Sequence, residues 1–210
     1  MYYPVFLNLQ GRKCLIAGGG HIALRKTTTL LEHGADVTVI SPRLCASLRK
    51  LAENGKIKII NRTYQPGDFK GIHLAIVATS SRAVNQGAAD EAKKRGVPVN
   101  VVDDPLLSDF IVPSIMRRGS LAIAVSTSGK SPALARKIRR RLEDDFGKEY
   151  TSLVVVIEEA RHLVKKQGLK VSSGDWQEAI DLDSMIALIR KGRSAKAMEY
   201  LLQRLRKSGK

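Results

Sequence analysis

Between Lys13 and Ala23 an apolar run, Lys-Cys-Leu-Ile-Ala, breaks into three consecutive glycines and continues as His-Ile-Ala. That order reads as the first strand, the phosphate turn and the first helical turn of a nucleotide-binding βαβ unit. Gly18 permits the tight turn, Gly20 lets backbone amides approach a pyrophosphate, and Ala23 lets the helix pack closely on the strand. An anion would then sit at the helix N-terminus, where unpaired N–H groups point outward. Apolar Ile22, Leu30 and Leu31 continue the helix until Gly34, which is placed as a C-terminal glycine. Asp36-Val-Thr-Val-Ile-Ser41 follows as a second buried strand.

Further strand-like runs fall at 56–60, 73–78 and 97–102, alternating with expected helices at 44–54 and 82–95. Such alternation predicts a parallel sheet with helices on both faces and ligands beyond the carboxyl ends of the strands. Three such ends stand out: Gly18 to His21, Ala78-Thr-Ser-Ser81 and Asn100-Val-Val-Asp-Asp104. Thr79 and Ser80 read either as caps of the next helix or as ligand-holding hydroxyls. Asp103 and Asp104 read equally as turn residues before Pro105 and as catalytic carboxylates.

After Pro105 the pattern changes. Segments 110–116 and 121–125, flanking Arg117-Arg-Gly-Ser120, predict an antiparallel hairpin. In the polar loop Ser126-Thr-Ser-Gly-Lys-Ser-Pro132, Ser131 is placed as an N-cap and Pro132 as the first helical residue. The helix that follows has an apolar stripe at Leu134, Ile138 and Leu142, with Arg136, Lys137, Arg139, Arg140 and Arg141 over most of its remaining surface. Beyond it, Leu153, Ile157, Ala160 and Val164, then Met198, Leu201, Leu202 and Leu205, predict an all-helical region with a loop at 168–175 and a frayed end at 207–210.

The assembled motifs resemble the siroheme synthase family. They are Met1-Tyr-Tyr-Pro-Val-Phe-Leu-Asn-Leu9, Gly18 to Lys26, Ala78-Thr79, Asn85, Asn100-Val-Val-Asp103, Asp109-Phe-Ile-Val-Pro113 and Ser131-Pro-Ala-Leu-Ala-Arg136, in the family's order over about residues 1–145. The resemblance implies a Rossmann-like NAD-binding domain (1–112), a dimerisation region (113–147) and a helical C-terminal part (148–210). It implies NAD-dependent oxidation of precorrin-2 to sirohydrochlorin, followed in many members by insertion of ferrous iron as a second substrate to give siroheme. Larger members carry a fused methyltransferase domain that is not found here, so methylation is expected of another protein.

By the same resemblance the catalytic aspartate maps to Asp103. The cofactor falls to Gly18, Gly19, Gly20, His21 and Ile22, to Ser41, Pro42 and Arg43 after the second strand, and to Thr79 and Ser80. Substrate binding falls to Asn100, Ser126, Thr127, Ser128 and Lys130. No dedicated metal-ligand cluster is implied. Two departures stand out. The acidic residue expected about 20 positions after the glycines, to hold the ribose hydroxyls, is replaced by Ser41-Pro42-Arg43. Relatives carry paired glycines where this chain has Ser128-Gly129, and the position matching a family phosphorylation site in that loop is Thr127.

Charge fits this expectation. Lys and Arg number 36 against 20 Asp and Glu, a net +16, which predicts an anionic partner. A tetrapyrrole bearing eight carboxylates is one such partner. The alternatives are a dehydrogenase that leaves iron to a separate chelatase, and an NAD-binding regulator that lays the basic helix from Ser131 on nucleic acid. No helix-turn-helix or zinc-finger signature favours the second. With no run near 20 apolar residues, no signal-peptide pattern, and Cys14 and Cys45 outside any metal or redox spacing, the chain is placed in the cytoplasm, away from membranes; the family resemblance implies a homodimer.

Overall fold

The computed structural model describes residues 2–208, which divide into two compact units, Met1–Val112 and Pro113–Lys210. In the first, β1 (Lys13–Ala17), β2 (Asp36–Ile40), β3 (Lys58–Ile60), β4 (Leu74–Val77) and β5 (Val99–Val101) form one sheet in the order β3-β2-β1-β4-β5. All four pairings are parallel. The strands β3, β4 and β5 are each trimmed at one or both ends relative to the runs expected from sequence.

Side chains alternate across the sheet as a pleated strand requires. Cys14 and Ile16 of β1 join Val37, Val39, Leu74 and Ile76 on one face, under Ala23 and Leu30 of α1 (His21–Glu32) and Leu48 of α2 (Ala46–Glu53). Leu15 and Ala17 face the other way, with Val77, Val99, Val101 and Phe69, under Ala88, Ala89 and Ala92 of α3 (Arg82–Arg95). Three alanines on one helix face let α3 lie close on the strands. Helix α1 ends at Glu32 with Gly34 beyond it at φ +72°, the left-handed position foreseen for it. Ile22, expected in the apolar stripe, is 42% exposed, because it projects from the first turn toward the strand ends and away from the core.

Strand order runs outward from β1 in both directions, so the sheet has its topological switch between β1 and β4. The hydrogen-bond ladder continues one residue beyond the strands. Gly18 N–H donates to Ile40 O at 2.9 Å, Ala78 N–H to Ala17 O at 2.7 Å and Val102 N–H to Val77 O at 2.8 Å. Gly18, Ala78 and Val102 are thereby drawn into one row above the sheet. Ligands of doubly wound proteins bind at this position.

The second unit opens with a hairpin of β6 (Ser114–Arg118) and β7 (Leu121–Val125), with Gly119 at φ +58° in its two-residue turn. The strand expected at 110–116 therefore starts later and runs through Arg118, and the turn is shorter. Arg118 explains the extension. Its guanidinium donates to Phe146 O at 2.8 Å and Glu143 O at 2.9 Å, satisfying carbonyls at the end of α4 (Pro132–Asp145). Ser131 caps α4 as expected, accepting from Leu134 N–H. The expected buried stripe on α4 is not realised within this chain. Ala135 is the buried residue, and Leu134 and Ile138 are 49% and 40% exposed.

Helices α5 (Glu149–Lys166), α6 (Ser173–Ala179), α7 (Leu182–Arg190) and α8 (Ser194–Ser208) enclose a core of Leu153, Val156, Ala160, Val164, Met185, Ile186, Ile189, Leu201 and Leu205. Val156 takes the buried place expected of Ile157, which packs at the margin. The loop expected over 168–175 is shorter, since a capping box between Ser172 and Asp175 starts α6 at Ser173. Helix α8 persists to Ser208, and the remainder of the expected frayed end lies outside the described residues.

Candidate active site

The glycine turn is built by close approach. Gly18 has φ +129°, and a Cβ there would lie 2.3 Å from Ala78 O, while one on Gly19 would lie 1.9 Å from Arg43 O. Any side chain at either position would force the β1, β2 and β4 ends apart. A Cβ on Gly20 would meet nothing within 4 Å, so that face of the turn is open to an approaching ligand. Gly20 is also the N-cap of α1, with no side-chain cap and no acidic residue in the first turn. Open glycine backbone at a helix N-terminus suits a pyrophosphate by hydrogen bonding and by dipole. His21 is the exposed first residue of that helix.

Beside the turn, Ile22, Ala78, Thr79, Ser80, Val102 and Asp103 line a cavity of about 270 Å³. Thr79 is held from below. Its hydroxyl donates to Asn85 Oδ1 at 2.6 Å and accepts from Ser81 N–H at 3.2 Å, while Asn85 Nδ2 donates to Thr79 O at 3.3 Å. The cap of α3 is neither Thr79 nor Ser80 but Ser81, which accepts from Val84 N–H. Ser80 thus stands in the cavity wall with the capping task assigned elsewhere.

Asp103 lies at φ +60°, and the other described non-glycine residue with positive φ is Ser128. A left-handed aspartate is uncommon and strained, and such residues cluster at functional sites. Asp104, the alternative carboxylate, is committed to the backbone: its Oδ1 accepts from Leu106 and Leu107 N–H, capping the 3₁₀ turn Pro105–Leu107. Ser108 and Asp109 hold the same segment to β5, with Ser108 Oγ accepting from Val101 N–H at 2.9 Å and Asp109 Oδ2 from Val99 N–H at 3.0 Å. The strained Asp103 is therefore clamped from both sides in sequence.

Ser41 and Arg43 form a tight turn after β2, in which the Ser41 hydroxyl donates to Arg43 O at 2.6 Å. Ser41 is buried and Pro42 and Arg43 are exposed. Asn100 does not line the cavity; its Nδ2 donates to Phe110 O at 2.9 Å and shapes the chain beyond the 3₁₀ turn. Ser126, Thr127, Ser128 and Lys130 belong to the second unit, in a loop of their own. There Thr127 Oγ1 accepts from Ser131 N–H at 2.9 Å, Ser126 Oγ from Ser128 N–H at 3.0 Å, and Thr127 O from Lys130 N–H at 3.0 Å. Ser128 occupies φ +53° and Gly129 φ +83°.

Sequence reasoning singled out the strand ends that carry Ala78 and Val102 without giving either a place in the site, and it missed the lock of Asn85 on Thr79. The signal for the last was the i, i+4 relation of Asn85 to the N-cap Ser81. Among the described residues there is no group of three or more His, Cys, Asp or Glu side chains able to hold a metal ion.

Residues 5–114, more than half of the chain, match the family described as "Putative NAD(P)-binding". Residues 118–145 match "Sirohaem biosynthesis protein central". The siroheme synthase of Methylococcus capsulatus is 42% identical over 165 residues, which cover 79% of this chain and 35% of that protein. That of Nitrosomonas eutropha is 38% identical over 210 residues, 99% of this chain and 44% of that protein. The chain thus spans less than half the length of these relatives. The solved structure of SirC, precorrin-2 dehydrogenase, is 28% identical with a TM-score of 0.73, over 98% of this chain and 100% of that one. Sheet, glycine turn and family match define an NAD(P)-binding protein of the doubly wound class. Within that class, the chain belongs to the siroheme synthase family.

Proposed function

We propose that the protein oxidises precorrin-2 to sirohydrochlorin with NAD. The observation that carries this reading is the left-handed Asp103 in a cavity wall beside an open glycine turn. When bound, the nicotinamide supplies the acceptor for a hydride leaving a ring carbon. The chain's own residues supply the remainder. Gly18 makes the turn; Gly19, Gly20, His21 and Ile22 hold the pyrophosphate through backbone N–H groups, and Pro42 and Arg43 border the adenosine ribose. Thr79 and Ser80 orient the nicotinamide end. Asp103 takes the proton released as the ring carbon loses its hydride, as a carboxylate at the mouth of a cleft can do.

The loop residues Ser126, Thr127, Ser128 and Lys130 are assigned to the carboxylates of the substrate, and Asn100 holds the segment that presents Asp103. A net charge of +16 draws such a polyanion. Insertion of ferrous iron, a second substrate, requires two pyrrole N–H protons to be removed, and Asp103 is the base available for it. The exposed Leu134 and Ile138 on α4 support a homodimer in which residues 113–147 meet a second copy. Two free thiols fit a reducing cytoplasm. Among the described residues, no helix is long and apolar enough to cross a membrane.

The test is anaerobic incubation with precorrin-2 and NAD, following NADH and sirohydrochlorin, with Asp103→Asn in parallel and ferrous iron added last. Oxidation by the wild type and its loss in the variant is the expected result. No oxidation by the folded wild type would overturn the reading. Insertion no faster than without protein would leave a dehydrogenase alone.

A further inference from the structure

Strand β2 ends at Ile40, and the residues just beyond it stand where a dinucleotide-binding protein meets the adenosine ribose. Proteins selective for NAD place a carboxylate there, which accepts from the ribose 2′-hydroxyl and repels a 2′-phosphate. This chain has Ser41, which is 7% exposed and whose hydroxyl is spent on Arg43 O at 2.6 Å. From 37 to 67 the one acidic residue is Glu53, at the far end of α2, against six Lys and Arg. The carboxylates at either border of that stretch are paired, Asp36 with Lys58 at 2.9 Å and Asp68 with Arg62 at 2.7 Å.

Arg43 is fixed by its backbone and free at its side chain. A Cβ on Gly19 would lie 1.9 Å from Arg43 O, and Cys45 N–H donates to Gly19 O at 2.8 Å. Residues 43–45 are thereby pressed onto the glycine turn, next to the open Gly20. Arg43 is exposed, and among the described residues no hydrogen bond or ion pair engages its guanidinium. Arg49 adds a second positive charge at the start of α2, where its Nε and Nη2 donate to Leu44 O at 3.2 and 2.9 Å. The first turn of α2 carries no acid to offset either.

We propose that this site does not exclude the 2′-phosphate of NADP and that Arg43 receives it, so that the protein binds NADP at least as tightly as NAD. The inference rests on the reading of the glycine turn as the dinucleotide site and names a second nucleotide for it. Selection for NAD over NADP needs a repelling carboxylate, and the turn after β2 supplies a cation in its place. A guanidinium keeps its charge at any working pH and meets a phosphate with paired N–H donors.

Isothermal titration calorimetry of the full chain with NAD and with NADP, at low ionic strength, tests this without the tetrapyrrole. The expected result is a Kd for NADP no larger than that for NAD. Arg43→Ala should raise the ratio of the NADP Kd to the NAD Kd about tenfold, and Arg43→Lys should raise it less, since an ammonium keeps the charge and loses the fork. Added salt should weaken NADP binding more than NAD binding. A wild type that binds NAD about tenfold more tightly than NADP overturns the proposal and leaves the dinucleotide site standing. An unchanged ratio in Arg43→Ala does the same, because the guanidinium would then not meet the 2′ position. Binding of neither nucleotide to the folded wild type overturns the site reading itself, and this inference with it.

Discussion

Asp103 and Asp104 are neighbours in sequence with opposite commitments. The Asp104 carboxylate accepts two backbone N–H groups at 3.2 and 3.3 Å, whereas Asp103, at φ +60°, faces a cavity. Substitutions should separate them. Asp103→Asn, which tolerates the left-handed region, should lower kcat by about 10²-fold or more without loss of stability. Asp104→Ala should cost about 1 kcal/mol of stability through the lost cap. Kinetics and denaturant unfolding on both variants check this.

Thr27 on α1 is fully buried, and its hydroxyl has no hydrogen-bond partner. Thr27→Val keeps the shape and removes a desolvated polar group, so it should stabilise the protein by about 1 kcal/mol. A shift of the urea midpoint to higher concentration is the expected readout.

Ser128 holds φ +53° with a side chain attached. Glycine there removes a left-handed penalty of about 1 kcal/mol and gains unfolded-chain entropy of similar size. Ser128→Gly should therefore change thermal stability little while making the loop more mobile. Faster amide exchange at Gly129 and Lys130 in the variant would register that mobility.

Acid should weaken the first unit through Asp68. Its carboxylate accepts from both Arg62 guanidinium nitrogens at 2.8 and 2.7 Å and from Gln65 N–H at 2.8 Å. The Arg62 hydrogen bond is the main cause that lowers its pKa below the ordinary 3.8. A folded value below the unfolded one contributes stability that is complete above the unfolded value and is lost as pH falls through the folded one. Stability should fall below about pH 4, and Asp68→Asn should flatten that fall while costing about 1 kcal/mol at neutral pH. Urea unfolding from pH 7 to pH 3 on both proteins checks it.

Cys14 is fully buried in β1, and burial, with some help from Asp36, pushes its thiol up to about 11. Iodoacetamide at pH 8 should leave Cys14 unmodified in the native protein and alkylate it in denaturant, read by peptide mass spectrometry.

Much of this architecture was legible in the chain. The short apolar runs of β1 and β2, the glycines at 18–20 and the Ser131-Pro132 start of α4 each express a local rule, and each sits where that rule puts it. The misplacements have tertiary causes. Arg118 extends β6 because its partners lie 25 and 28 residues away at Glu143 and Phe146. Ile22 and the α4 stripe look like core residues by spacing, yet spacing cannot say whether the surface they meet belongs to the same chain. At the site, local turn rules read Asp103 and Asp104 alike and the family resemblance alone chose Asp103; the backbone hydrogen bonds of the 3₁₀ turn occupy Asp104.

The row of main-chain hydrogen bonds through Gly18, Ala78 and Val102 means that the cavity floor is laid by backbone, whose position barely depends on which apolar side chains hang from it. The rim side chains of Ile22 and Ser80 can accordingly be exchanged as interchangeable fittings on a fixed chassis. Redesign of the cavity for another ligand would begin at those two positions and leave the strands alone.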